Sequence, residues 1–97
     1  MNINISSFNK EILEYILSLN KDLERSNYKM YSIRLSTARD ESDTPISILE
    51  FTIQDLDNRT TPELKSSLEC ILNADKNGIV RITLKEDNFY DIQYTFI

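Results

Sequence analysis

The chain has 97 residues and a formal charge of −5, from sixteen acids against eleven bases, with no histidine and one cysteine. Without histidine it lacks the commonest general base and the commonest metal ligand, and one cysteine allows neither an internal disulfide nor a zinc cluster. The acidic balance argues against generic binding to nucleic acid or anionic lipid, where phosphate would be repelled.

An apolar share of 40% and a charged share of 28% describe a globular chain. The length predicts one domain over residues 1–97 that folds without staples. No apolar run approaches the roughly 20 residues of a spanning helix. The start, Met1 to Ile5, lacks the basic residue and long apolar run of a signal peptide, so the natural expectation is a cytoplasmic protein.

Residues 1–5 read as a short tail or an extra edge strand. Ser7 suits an N-cap, and a helix is predicted from there to about Ser26. Phe8, Ile12, Tyr15, Ile16, Leu19 and Leu23 recur at three- and four-residue steps and form its apolar stripe. Leu13 and Leu17 lie beside the stripe. They either pack on a second helix or meet another chain. Asn27 suits the helix stop.

Two strands follow, Tyr28–Thr37 and Ile46–Gln54, joined by the acidic loop Ala38–Thr44. Tyr31, Ile33 and Leu35, then Leu49, Phe51 and Ile53, alternate with polar residues and predict one buried hairpin face. That alternation places Met30 on the opposite face. Asp55 to Thr60 is rich in turn formers. Thr61 as cap, Pro62 at the first helical position and Glu63 in the first turn predict a helix running to about Asp75. Its stripe is Leu64, Leu68, Ile71 and Leu72. Asn77-Gly78 reads as a left-handed stop. A second hairpin pairs Ile79–Lys85 with Phe89–Ile97 through Glu86-Asp87-Asn88, its inward residues being Val80, Ile82 and Leu84, then Tyr90, Ile92, Tyr94 and Phe96. The final strand reads as an exposed edge.

The predicted class is α+β in the order α-β-β-α-β-β. Two amphipathic helices pack on one face of a four-stranded, mainly antiparallel sheet.

No motif names a reaction. Asp55-Leu56-Asp57-Asn58 begins like a calcium loop, but Thr60 and Ser66 stand where its glycine and glutamate belong. No base is available to activate Cys70 or a hydroxyl, and Gly78 alone cannot build a phosphate-cradling loop. The expectation is no enzyme, no metal and no cofactor. Arg34, Arg81, Lys85 and Phe89 share the outer sheet face, but most aromatics point inward, which argues against an RNA-reading sheet.

Five carboxylates carry the functional reading: Asp40, Glu41 and Asp43 on the first hairpin loop, Glu86 and Asp87 on the second. If both loops emerge at one end of the sheet, they form one acidic patch able to steer a basic protein partner. The plainer alternative is that loop tips are acidic because they are solvated. In size, charge and layout the chain is similar to protein inhibitors such as toxin-immunity proteins and phage-encoded antagonists of host defence. That resemblance implies an inhibitor acting on a basic protein such as a nuclease, and it assigns no residue a role. The second expectation is a homodimeric chaperone or assembly factor that holds another chain through Leu13 and Leu17, so both monomer and homodimer are open.

Overall fold

The computed structural model describes residues 2–3, 10–72 and 78–96. Ser7, Phe8, Asp75, Asn77 and Ile97, which carried the expected cap, stripe start, helix end, helix stop and strand end, lie outside them. The element order is β1 (Asn2–Ile3), α1 (Lys10–Arg25), β2 (Tyr28–Arg39), β3 (Pro45–Asp55), α2 (Thr61–Leu72), β4 (Gly78–Glu86) and β5 (Phe89–Phe96). The fold is α+β, with two helices and the four antiparallel strands of an α-β-β-α-β-β chain. To these β1 adds a two-residue parallel pairing, Asn2 with Ser32 and Ile3 with Ile33.

The sheet order is β1-β2-β3-β5-β4. The final strand is therefore interior and β4 is the edge, contrary to expectation. The reason lies in the inward side chains. Ile92 and Tyr94 of β5 are buried, whereas β4 buries Val80, half-buries Ile82 and leaves Leu84 exposed. The strand with the heavier apolar face takes the covered centre.

One core joins the layers. Ile16, Leu19 and Leu23 of α1 and Leu64, Leu68 and Leu72 of α2 meet Ile33, Leu49, Phe51, Ile53 and Ile92 of the sheet. Tyr15, expected in the α1 stripe, is 43% exposed and only partly covered.

The phase of β2 also departs from strict alternation. Met30 pairs with Ile53 and Ser32 with Thr52, so Tyr31 is an extra residue in a β-bulge. Before the bulge Tyr28 and Met30 face the helices, and after it Ile33 and Leu35 do. Unbroken alternation would have driven the Lys29 ammonium into the core. The bulge buries both apolar pairs and turns Lys29 and Tyr31 to the open face. Tyr31 there donates to Gln54 Oε1 at 2.9 Å and lies 5.5 Å from the Phe89 ring.

Helix ends follow local chemistry. Asn27 adopts φ 63° as the left-handed stop of α1. The α2 cap is Thr60, one residue earlier than expected. Its hydroxyl donates to Glu63 Oε1 at 2.7 Å and accepts from the Glu63 amide at 3.4 Å, a capping box. Gly78 has no left-handed φ and opens β4 instead of stopping a helix. The Tyr94 ring lies where a Cβ on Gly78 would stand, 2.0 Å from Cε1, so glycine makes room for the aromatic.

Candidate protein-binding surfaces

The two acidic loops are at opposite ends of the sheet. Arg39 pairs with Pro45 at the mouth of the first loop. Phe89, which follows the second loop, pairs with Gln54 at the far end of β3. The 11 residues of β3 separate them by roughly 33 Å at about 3.3 Å per residue step. Asp40, Glu41 and Asp43 thus share one end and Glu86 and Asp87 the other. The single five-carboxylate patch does not form, because β3 and β5 are antiparallel and reverse the second hairpin.

The first loop is a projecting, ordered tip. Among the described residues β5 accompanies β3 only from Ser47, so Ala38–Ile46 and Arg39–Pro45 pair with each other alone. Asp40 holds the loop: one carboxylate oxygen accepts from the amides of Ser42 and Thr44, each at 2.9 Å. Its backbone bonds Thr44 and Asp43 at 3.0 Å. Asp43 takes φ 61°, and Arg39 reaches its carbonyl at 2.8 Å and its carboxylate at 3.6 Å. Glu41 is exposed and has no such partner among the described residues. Asp40 shapes the tip, while Glu41 and Asp43 present charge.

At the opposite end lies a polar knot that the sequence reading passed over. Asp55 is 1% exposed. Its carboxylate accepts from the Arg59 guanidinium at 2.6 Å, the Arg59 amide at 2.6 Å and the Asp57 amide at 3.2 Å. Arg59 also donates to the Ser26 carbonyl at the end of α1 and to Asp57 at 3.2 Å. Its guanidinium lies 4.3 Å from the centroid of the buried Tyr28 ring. Asn27 donates to Asp57, the Leu56 amide to Asn27 and the Asp55 amide to Asn88. One buried ion pair therefore ties together the end of α1, the end of β3, the start of α2 and the second acidic turn. Its signature was Asp55-x-Asp57-x-Arg59 within the turn formers, a spacing that lets an aspartate bond amides two and four residues on. The carboxylate that began the calcium-like run is engaged by arginine.

Burial raises the Tyr28 hydroxyl above the ordinary tyrosine pKa of 10.0, against the opposing pull of Ser67 and the Arg59 charge. The hydroxyl makes no hydrogen bond of good geometry, although Ser67 stands beside it. Tyr15 is raised as well, by burial first and by neighbouring Tyr94 second.

The open sheet face carries a shallow concavity of about 550 Å³, lined by Arg34, Glu50, Thr52, Arg81, Asp91 and Gln93 among others. Two of the four cations on this face are ion-paired. Arg34 pairs with Glu50 at 2.7 Å, and Lys85 with Asp91 at 3.9 Å. Asp91 also accepts from Thr52 at 2.9 Å. Such a face is a solvated antiparallel surface and no basic platform.

On α1, Leu17 is 48% exposed and Leu13 half-buried. Packing on the second helix, one of the two expectations for this pair, does not cover Leu17. Cys70 is exposed and free. Among the described residues no three metal-ligating side chains come together, and no helix is long and apolar enough to cross a membrane. Comparison with protein-family models, curated proteins and solved structures finds no match to this chain.

Proposed function

We propose that this is a non-catalytic protein-binding module that inhibits a basic protein, such as a nuclease, by covering it. The observation that supports this reading is the projecting β2–β3 tip. Its conformation is set by Asp40 before any partner arrives, and it presents the Glu41 and Asp43 carboxylates beyond the other described strands of the sheet. A preorganised acidic prong loses little entropy on binding and attracts cations over several ångströms. Glu86 and Asp87 are too distant to share that contact and belong to a separate surface or to none.

The test is capture from lysate of the encoding cells at low and moderate salt. The expected result is one basic partner at equal stoichiometry, released as salt rises. An acidic partner, or capture indifferent to salt, would remove the proposal.

A second reading, a homodimeric chaperone or assembly factor, draws on Leu17. An exposed leucine on a helix with a covered opposite face suits the grip of another chain. Leu13→Glu with Leu17→Glu would abolish binding under that reading and leave it intact under the first.

A further inference from the structure

The edge strand β4 stands apart from the surfaces above. Among the described residues its outer side has no strand neighbour, whereas the other flank of the sheet carries β1. It displays Leu84, 63% exposed, toward the helix layer and Ile79, 70% exposed, toward the open face. An unpaired edge with an apolar residue on each face is a template for another strand.

We infer that the occupant is a second copy of this chain, with β4 pairing to β4 antiparallel about a two-fold axis at Ile82 into one continuous sheet. Directly opposite residues of an antiparallel pair share a face, so a two-fold axis normal to the sheet must pass through a residue pair. Centring on Arg81 sets Arg81 against its own copy. Centring on Thr83 sets Arg81 against Lys85. Both place like charges opposite each other, which is destabilising. Centring on Val80 uses only the start of the strand and leaves Leu84 bare. Centring on Ile82 alone pairs the whole of Gly78–Glu86 with its copy.

In that register Val80 faces Leu84, Ile82 faces itself and Leu84 faces Val80 along the helix side. On the open side Arg81 faces Thr83, and Ile79 faces the Lys85 stem. The strand is thus self-complementary in apolar pattern and free of directly opposed like charges, and that is the argument for a copy over a foreign strand. The bulge between Leu84 and Glu86 falls at the strand's end and leaves the central residues straight. A single strand pair buries less than the roughly 1,200 Å² of a standard interface, so the dimer is concentration-dependent.

Sedimentation velocity over a wide concentration range tests this on the full chain, together with Leu84→Lys. That exposed site allows the variant to fold, which circular dichroism checks. The expected result is a reversible dimer whose dissociation constant rises about tenfold or more in Leu84→Lys. In a Cys70→Ser background, Arg81→Cys with Thr83→Cys crosslinks the dimer on oxidation, and Thr83→Cys alone does not. A monomer at every concentration, a dimer indifferent to Leu84→Lys, or failure of the paired cysteines to crosslink would each overturn the inference.

Discussion

Asp55 has both carboxylate oxygens engaged and no access to water, so its stability depends on the Arg59 charge beside it. Removing either partner leaves polar groups buried without compensation, at a cost of about 3–5 kcal/mol. Asp55→Ala and Arg59→Ala are each expected to lower the unfolding free energy, read from urea denaturation, by that order, and the double variant by much less than their sum. Tyr28 behaves in the opposite way. Its hydroxyl is buried without a well-formed bond, so Tyr28→Phe is expected to be neutral or to stabilise by up to about 1 kcal/mol at pH 7. Burial raises its pKa above 10.0 in the folded state. The stability tied to its protonated form is therefore complete below pH 10 and is lost as pH rises through the raised value. Alkaline unfolding followed by circular dichroism should be shallower in Tyr28→Phe than in the natural chain.

At the scale of elements, the α2 cap separates two neighbouring threonines. Thr60→Ala removes the capping hydroxyl and is expected to cost about 1 kcal/mol. Thr61→Ala, inside the helix, should change stability by less than about 0.5 kcal/mol. Thermal denaturation of both variants distinguishes them. The pattern Thr60-x-x-Glu63 is a capping box in the sequence, whereas Pro62 at the first helical position points to Thr61 as the cap. Most elements were legible in this way, because periods of two and of three to four are set by side-chain direction alone. The phase of β2 was not. Lys29 between Tyr28 and Met30 asks for one parity and Ile33 with Leu35 for the other, and only tertiary packing decides that a bulge reconciles them. Gly78 was misread for a related reason. Its small size serves the Tyr94 ring across the hairpin, a contact that no local pattern reveals.

At the scale of the molecule, strand order decides which loops share a surface. Local patterns define the two hairpins, but whether they join in the same or the reverse sense depends on which strands seek the centre. The central position of β5 sends Glu86 and Asp87 to the end of the sheet opposite Asp40, Glu41 and Asp43. The two acidic loops are therefore independent surfaces, and one comparison tests this most directly. Three baits are offered to the same lysate: the natural chain, Glu41→Lys with Asp43→Lys, and Glu86→Lys with Asp87→Lys. Reversal at the tip is expected to weaken capture of the basic partner about tenfold or more, while reversal at the distant turn leaves it within about twofold. Equal capture by all three, or loss only at the distant turn, would contradict the tip as the binding surface.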